Sequence, residues 1–241
     1  MAQQVEKSPL MIEDTAPIIA FAHDLRQPLR AIMMHAQRIQ RQDSQLSAET
    51  RAKLEEILAA GRRQEELIAS VVEYDEALRN GLSKEARMPL RLAIQTACMK
   101  VEAYRKLQNG IVRFDPAAGP EVVSPSAIAK VFEKILHNAL KFHPKGVDPV
   151  VEVEVTPGTS GSTGIRITDN GLGIEPQYRS TVFEPFRRLN PAGEYSGSGM
   201  GLSTCRRLLE SINGSILIED HPHSQGSTIV VSLPLIGVAG S

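Results

Sequence analysis

The chain has 241 residues, 41% of them hydrophobic, a formal net charge of −1 and no tryptophan. That apolar content is enough for a packed core in one or two domains, and the near-neutral charge leaves no field to draw the chain to nucleic acid or an anionic membrane. No apolar run reaches the ~20 residues that span a bilayer, the start from Met1 to Pro9 lacks a signal-peptide core, and Cys98 and Cys205 suggest neither a disulfide framework nor a metal knuckle. These features predict a cytoplasmic chain without membrane insertion, whose input comes from a separate sensor protein or a soluble signal.

Two long helical patterns come first. Ile18, Ala22, Leu25, Leu29, Ile32, Ala36 and Ile39 recur at steps of three and four, as a coiled-coil seam does. Pro28 interrupts this helix and is expected to kink it. The polar stretch Arg41 to Ser47 reads as a turn, with Ser47 or Ser44 as N-cap of the next helix. That helix carries Leu54, Ile57, Ile68, Val71 and Leu78 on its seam, with weak positions at Gly61, Gln64 and Asp75. One apolar stripe per helix makes a thin core, so two copies are expected to pair as a four-helix bundle, a homodimer.

Asn80 and Gly81 end the hairpin, and Ser83 to Pro89 reads as a linker. The chain thus divides into a hairpin, 1–82, and a mixed α/β domain, 83–241. In the second part, Leu90 to Leu107 and Pro125 to Phe142 read as helices and Ile111 to Asp115 as a strand. Val150 to Val155 alternates apolar and acidic residues as a half-buried strand does. Thr156 to Gly164 reads as a loop, Ile165 to Thr168 as a strand and Leu202 to Ile212 as a helix. Ser215 to Glu219 and Thr228 to Leu233 are the final strands, ahead of a frayed Gly-containing tail after Pro234.

Four segments carry chemistry. In Phe21-Ala22-His23-Asp24-Leu25-Arg26-Gln27-Pro28, His23 falls off the seam and is expected to face solvent. An exposed imidazole offers a nitrogen nucleophile at cellular pH, and a neighbouring carboxylate such as Asp24 can hold Nδ1–H and leave Nε2 to attack. His35, on the same helix, has no acid after it and reads as a surface or dimer-facing residue.

Asn138-Ala139-Leu140-Lys141-Phe142 lies on a helix. The Asn138 carbonyl oxygen suits Mg²⁺ shared with phosphate, and Lys141, near the same face, can reach a phosphate. Asp169-Asn170-Gly171-Leu172-Gly173 follows a strand. Its glycines let a flat ring approach the backbone, and Asp169 can accept the exocyclic amino group of adenine. Gly197-Ser198-Gly199-Met200-Gly201-Leu202 opens a helix, where backbone N–H groups and the helix dipole can hold polyphosphate. Gly226-Ser227-Thr228 is a last cue at the final strand. Between the Asp169 and Gly197 segments, Phe183 and Phe186 are expected to anchor a mobile lid, with Arg187 and Arg188 in reach of phosphate or solvent.

Together, in this order and spacing from Ala16 to Leu235, these segments resemble the sensor histidine kinase family, and His23-Asp24-Leu25-Arg26-Gln27-Pro28-Leu29-Arg30 is most similar to phytochrome-like kinases. The resemblance implies an α+β chain: a dimeric helical hairpin for phosphotransfer, then an ATP-binding α/β sandwich of the type shared with gyrase and chaperone ATPases. It implies ATP and Mg²⁺ as partners in catalysis, autophosphorylation of His23 assisted by Asp24, and transfer to an aspartate in the receiver domain of a response regulator. Asn138 is then the Mg²⁺ ligand and Asp169 the adenine contact. Lys141, Gly171, Gly173, Arg188, Gly197, Gly199, Met200, Gly201, Leu202 and Thr228 complete the nucleotide site. Two positions depart from the family. Lys134 stands where a second Asn is usual, which motivates an alternative: a phosphotransfer scaffold with a degenerate ATP domain. Gln27 stands where many relatives have Thr or Asn. In related ATPases a water-activating Glu occupies the position of Lys134, and Glu133, rotated about 100° around the helix, is expected to point elsewhere.

Overall fold

The computed structural model describes residues 16–42, 45–82, 86–117, 122–158, 161–189, 195, 197–221 and 225–234. The Met1–Pro9 segment, Ser44, positions 83–85 of the expected linker, positions 190–194 and 196 of the expected lid, and the tail after Pro234 lie outside the described residues. The chain forms two compact units, Met1–Val72 and Glu73–Ser241.

The first unit holds α1 (Ala16–Gln42) and most of α2 (Ala48–Asn80). Ser47 caps α2, as expected: its Oγ accepts the Thr50 N–H at 3.1 Å. Pro28 lies inside α1. Met33, Ala36, Leu54 and Leu58 are buried together, with Leu29 and Leu46 packed on them. Gly61 makes room for this cluster, since a Cβ there would stand 2.6 Å from Met33 Cγ.

The structure revises the expected seam. Leu25, Ile32 and Ile39 are 40%, 56% and 48% exposed, and Ile57 and Leu78 are exposed as well. Met33 and Leu58 take buried places that the spacing did not assign. Two heptad series run along α1, and residues a heptad apart share a face. Leu29 and Ala36 pack within the hairpin, whereas the Leu25–Ile32–Ile39 series is left on the surface of the single chain.

The second unit is a sheet covered on one face by helices. Its elements are β1 (Arg87–Pro89), α3 (Leu90–Leu107), β2 (Ile111–Phe114), β3 (Val123–Pro125), α4 (Ala129–Lys141), β4 (Val150–Pro157), β5 (Ser162–Asp169), α5 (Gly201–Glu210), β6 (Ser215–Glu219) and β7 (Ser227–Pro234). The main sheet has the order β2-β4-β5-β7-β6, and only β2 and β4 run parallel. The strand β1, which falls in the expected linker, pairs antiparallel with β3.

Ser126–Ile128 forms a 3₁₀ turn ahead of α4, so the helix starts later than the sequence pattern suggests. The loop expected over Thr156–Gly164 is shorter, because β5 already pairs with β7 from Ser162.

Strand alternation fixes what reaches the site. Along β5, Thr163, Ile165, Ile167 and Asp169 share the buried face. Opposite them, α4 buries Val131, Phe132, Ile135, Leu136, Ala139 and Leu140 at helical spacing. The strand therefore ends with a carboxylate pointing into the interior. The last turns of α2 also pack in this unit: Ala77 and Leu82 join its core, and the Leu82 N–H donates to Ser211 Oγ at 2.9 Å.

Candidate functional site

In the first unit, His23 and Asp24 stand on α1 with side chains 67% and 78% exposed. His23 Nδ1 lies 3.6 Å from Asp24 Oδ1, close enough for the carboxylate to steer the ring. The ring faces solvent because Ala22, the neighbouring seam residue, occupies the buried position at 4% exposure. This is the arrangement expected from the spacing: a reachable imidazole with an acid beside it.

In the second unit, a cavity of about 1210 Å³ opens between the end of α4, the turn after β5 and the turn before β7. Lys141, Gly173 and Gly226 line it, together with residues the sequence motifs did not single out: Tyr104, His143 and Tyr195. Asp169 lies just behind Gly226 and is 8% exposed. Its Oδ1 accepts the N–H of Gly171 at 2.8 Å and of Ser227 at 3.2 Å. Burial pushes the carboxyl up to about 6, against the pull of those two N–H groups and of His221.

The glycines have steric work at this point. A Cβ on Gly171 would sit 2.3 Å from the Phe142 carbonyl oxygen, and one on Gly226, with φ +117, would sit 1.9 Å from the Asp169 carbonyl oxygen. The Leu172 N–H also donates to the Phe142 carbonyl at 2.9 Å, so the turn after β5 is clamped to the end of α4.

Asn138 and Lys141 share α4. Asn138 Nδ2 lies 3.8 Å from where a Gly201 Cβ would be, and Lys141 Nζ lies 3.0 Å from where a Gly197 Cβ would be. The glycine segment thus runs along the face of α4 that carries both residues. Gly199 abuts Phe186 and Arg187 backbone, with a Cβ position 2.8 Å from the Arg187 carbonyl oxygen. His137, beside Asn138, stacks on Tyr104 at 4.4 Å between ring centroids. Burial and the Lys141 ammonium lower its pKa.

Several expected residues stand differently. Met200 is 2% exposed, and its carbonyl receives the Thr204 N–H and the Ser203 and Thr204 hydroxyls, so it starts α5 from within the core. Leu202 packs against the core cluster. Thr228 is fully buried with its hydroxyl 3.3 Å from that of Thr168. In the β5–β7 register Asp169 faces Ser227, so the period of two turns Thr228 to the opposite sheet face and makes Ser227 the partner of the carboxylate. Arg188 Nη2 donates to the Tyr195 carbonyl at 2.8 Å. Of the two phenylalanines, only Phe183 anchors: it is 4% exposed under the Arg206 guanidinium, whereas Phe186 is 57% exposed.

Lys134 is resolved by its partner. Its Nζ lies 2.7 Å from Glu73 Oε2, so its charge is paired with an acid about two turns before the end of α2. Glu133 is held by Lys100 at 2.9 Å, pointing elsewhere as its helical offset predicts. The observation that motivated a degenerate ATP domain therefore has a structural explanation. Cys98 and Cys205 are free, and burial pushes the Cys205 thiol up to about 12.

Two stretches of the chain match known protein families. Residues 20–77 match the His Kinase A (phospho-acceptor) domain, and residues 124–237 match the histidine kinase-, DNA gyrase B- and HSP90-like ATPase domain. The chain is 34% identical over 125 residues to sensor protein KdpD of Rathayibacter rathayi, covering 52% of this chain and 14% of that protein. It is 23% identical over 238 residues to the phytochrome-like protein Cph1 of Synechocystis sp., covering 98% of this chain and 31% of that one. The chain thus spans less than a third of either relative.

Among solved structures, full-length ShkA in complex with AMPPNP superposes with a TM-score of 0.66 at 18% identity, covering 92% of this chain and 46% of that one. This likeness concerns the fold. Among the described residues no helix is long and apolar enough to cross a membrane. The phytochrome-like proteins are one of several groups of relatives, so the assignment rests on the level they share. With a phospho-acceptor hairpin and an ATPase domain in sequence on one chain, this protein belongs to the two-component sensor histidine kinases.

Proposed function

We propose that the chain is the catalytic core of such a kinase, with residues 1–82 as the dimerising phosphotransfer part and 83–241 as the ATP-binding part. The observation that carries this reading is the coexistence of a solvent-facing His23–Asp24 pair with a buried carboxylate cradled by glycines just behind the wall of a nucleotide-sized cavity.

The residues fit ATP. Asp169 Oδ1 is occupied by two backbone donors, which leaves Oδ2 to accept the adenine amino group. Gly171 and Gly226 let the backbone close tightly around Asp169, where any Cβ would clash, and so hold the carboxylate in place. Lys141 and the backbone of Gly197, Gly199 and Gly201 supply positive charge and N–H donors for the phosphates. Asn138 offers the one neutral oxygen that a hard cation sharing phosphate oxygens needs. Mg²⁺, when bound, offsets the phosphate charge during transfer.

Asp24 holds Nδ1–H of His23, and Nε2 attacks the γ-phosphorus of ATP. The Nε2–phosphorus bond forms as the bond to the bridging oxygen breaks, ADP leaves, and the ring sheds its Nδ1 proton to Asp24 and on to solvent. Positioning and charge neutralisation do most of the work in such a transfer. An aspartate of a response regulator receiver then takes the phosphoryl group. The exposed Leu25–Ile32–Ile39 series supports pairing of two hairpins into a four-helix bundle. Dependence on ATP places these residues on the cytoplasmic side.

Incubation with γ-labelled ATP and Mg²⁺ tests this reading. An acid-labile, alkali-stable phosphate on His23 is expected. ATP hydrolysis without that phosphate would replace the kinase by an ATPase.

A further inference from the structure

We propose that Tyr195 is a positioning residue for the nucleotide phosphates: its hydroxyl fixes the glycine segment Gly197–Gly201 against α4. The inference rests on the ATP-binding role of this cavity.

Tyr195 lines the cavity and is tied down at three points. Its hydroxyl donates to the His143 carbonyl at 2.8 Å, across 52 positions of sequence. Its ring packs on Phe142, with centroids 5.2 Å apart and planes tilted by 53°. Its own carbonyl accepts from Arg188 Nη2 at 2.8 Å. Phe142 and His143 immediately follow α4, and a carbonyl just past a helix end lacks an intrahelical donor. The phenol supplies one.

The consequence falls two residues later. Gly197 lies against Lys141 Nζ, and Lys141 in turn lies 5.2 Å from the Phe142 ring centroid. Phe142 thus contacts both the tyrosine ring and the lysine ammonium, and the same small cluster lies against Gly197. Arg188 adds a further tie, from the stretch that follows Phe186 to the Tyr195 carbonyl. Backbone N–H groups bind polyphosphate well only when they are already aimed, because ordering them on binding costs affinity. Tyr195 aims them from outside the phosphate-binding segment itself.

Tyr195→Phe keeps the ring on Phe142 and removes only the hydroxyl. The test is calorimetric binding of ATP with Mg²⁺, and of adenosine alone, to the full chain and to Y195F and Y195A. Loss of one neutral hydrogen bond that holds the segment should weaken ATP binding about three- to tenfold in Y195F, more in Y195A, while adenosine binding stays within about twofold. A tyrosine that merely supported the fold would lower both ligands together, and that result would overturn the proposal, as would ATP binding equal to the parent chain in Y195F. A parent chain that binds neither ligand would overturn the nucleotide reading and this inference with it; a parent chain that binds ATP while Y195F is unchanged would overturn this inference alone.

Discussion

Asp169→Asn should make the protein more stable and less able to bind ATP. In the folded chain the Asp169 carboxyl titrates at about 6 against an ordinary value of 3.8, because burial disfavours its charge. Between those two values the native state holds a proton that the unfolded chain has released. Stability therefore falls as pH rises through this window, and above about 6 the whole cost is present. At about 1.4 kcal/mol per pH unit, the cost is about 3 kcal/mol at pH 8 and about half that at pH 5.

Asparagine mimics the protonated acid. Its oxygen still accepts from Gly171 and Ser227, and its amide carries no charge to desolvate. Urea unfolding without nucleotide should show a gain of up to ~3 kcal/mol at pH 8, shrinking by about half at pH 5. The amide also presents a donor to the adenine amino group, so ATP should bind about tenfold to a hundredfold more weakly. A gain of equal size at both pH values would refute the ionisation argument. Unchanged ATP affinity would refute the adenine contact.

His23→Ala should abolish labelling from ATP while calorimetry still detects ATP binding; labelling that persists would move the acceptor elsewhere. Lys134→Met should leave the Mg²⁺ dependence of ATP binding unchanged, because the ammonium is committed to Glu73, and should cost only about 1 kcal/mol in urea unfolding, as a part-exposed ion pair does; a double-mutant cycle with Glu73→Gln should recover that coupling. Gly226→Ala should cost about 3 kcal/mol or more, since it combines positive φ with a Cβ 1.9 Å from the Asp169 carbonyl oxygen. Gly161→Ala, also at positive φ but with nothing within 4 Å, should cost only about 1 kcal/mol in the same assay.

Local chemistry made much of this protein legible in its sequence. The 3.6-residue pattern gave α3 its observed limits, Leu90–Leu107, and the Ser47 cap placed the start of α2, because capping and amphipathic burial are set by neighbours in the chain. Asp-Asn-Gly after a strand and a glycine run before a helix were readable for the same reason: their backbone demands are local. Their roles as expected for the family rested on resemblance.

What depended on distant residues was not readable. Alternation along β7 could not say that Ser227, rather than Thr228, meets Asp169, because that follows from register with β5. The fate of Lys134 was decided by Glu73, sixty-one positions away. The choice between the two heptad series of α1 depended on what α2 presented, including the space left by Gly61 for Met33. Tyr195 carried no motif at all, since its latch is a carbonyl fifty-two residues earlier in the chain. Spacing along a chain records which face a side chain takes, whereas only packing determines which atom stands opposite it.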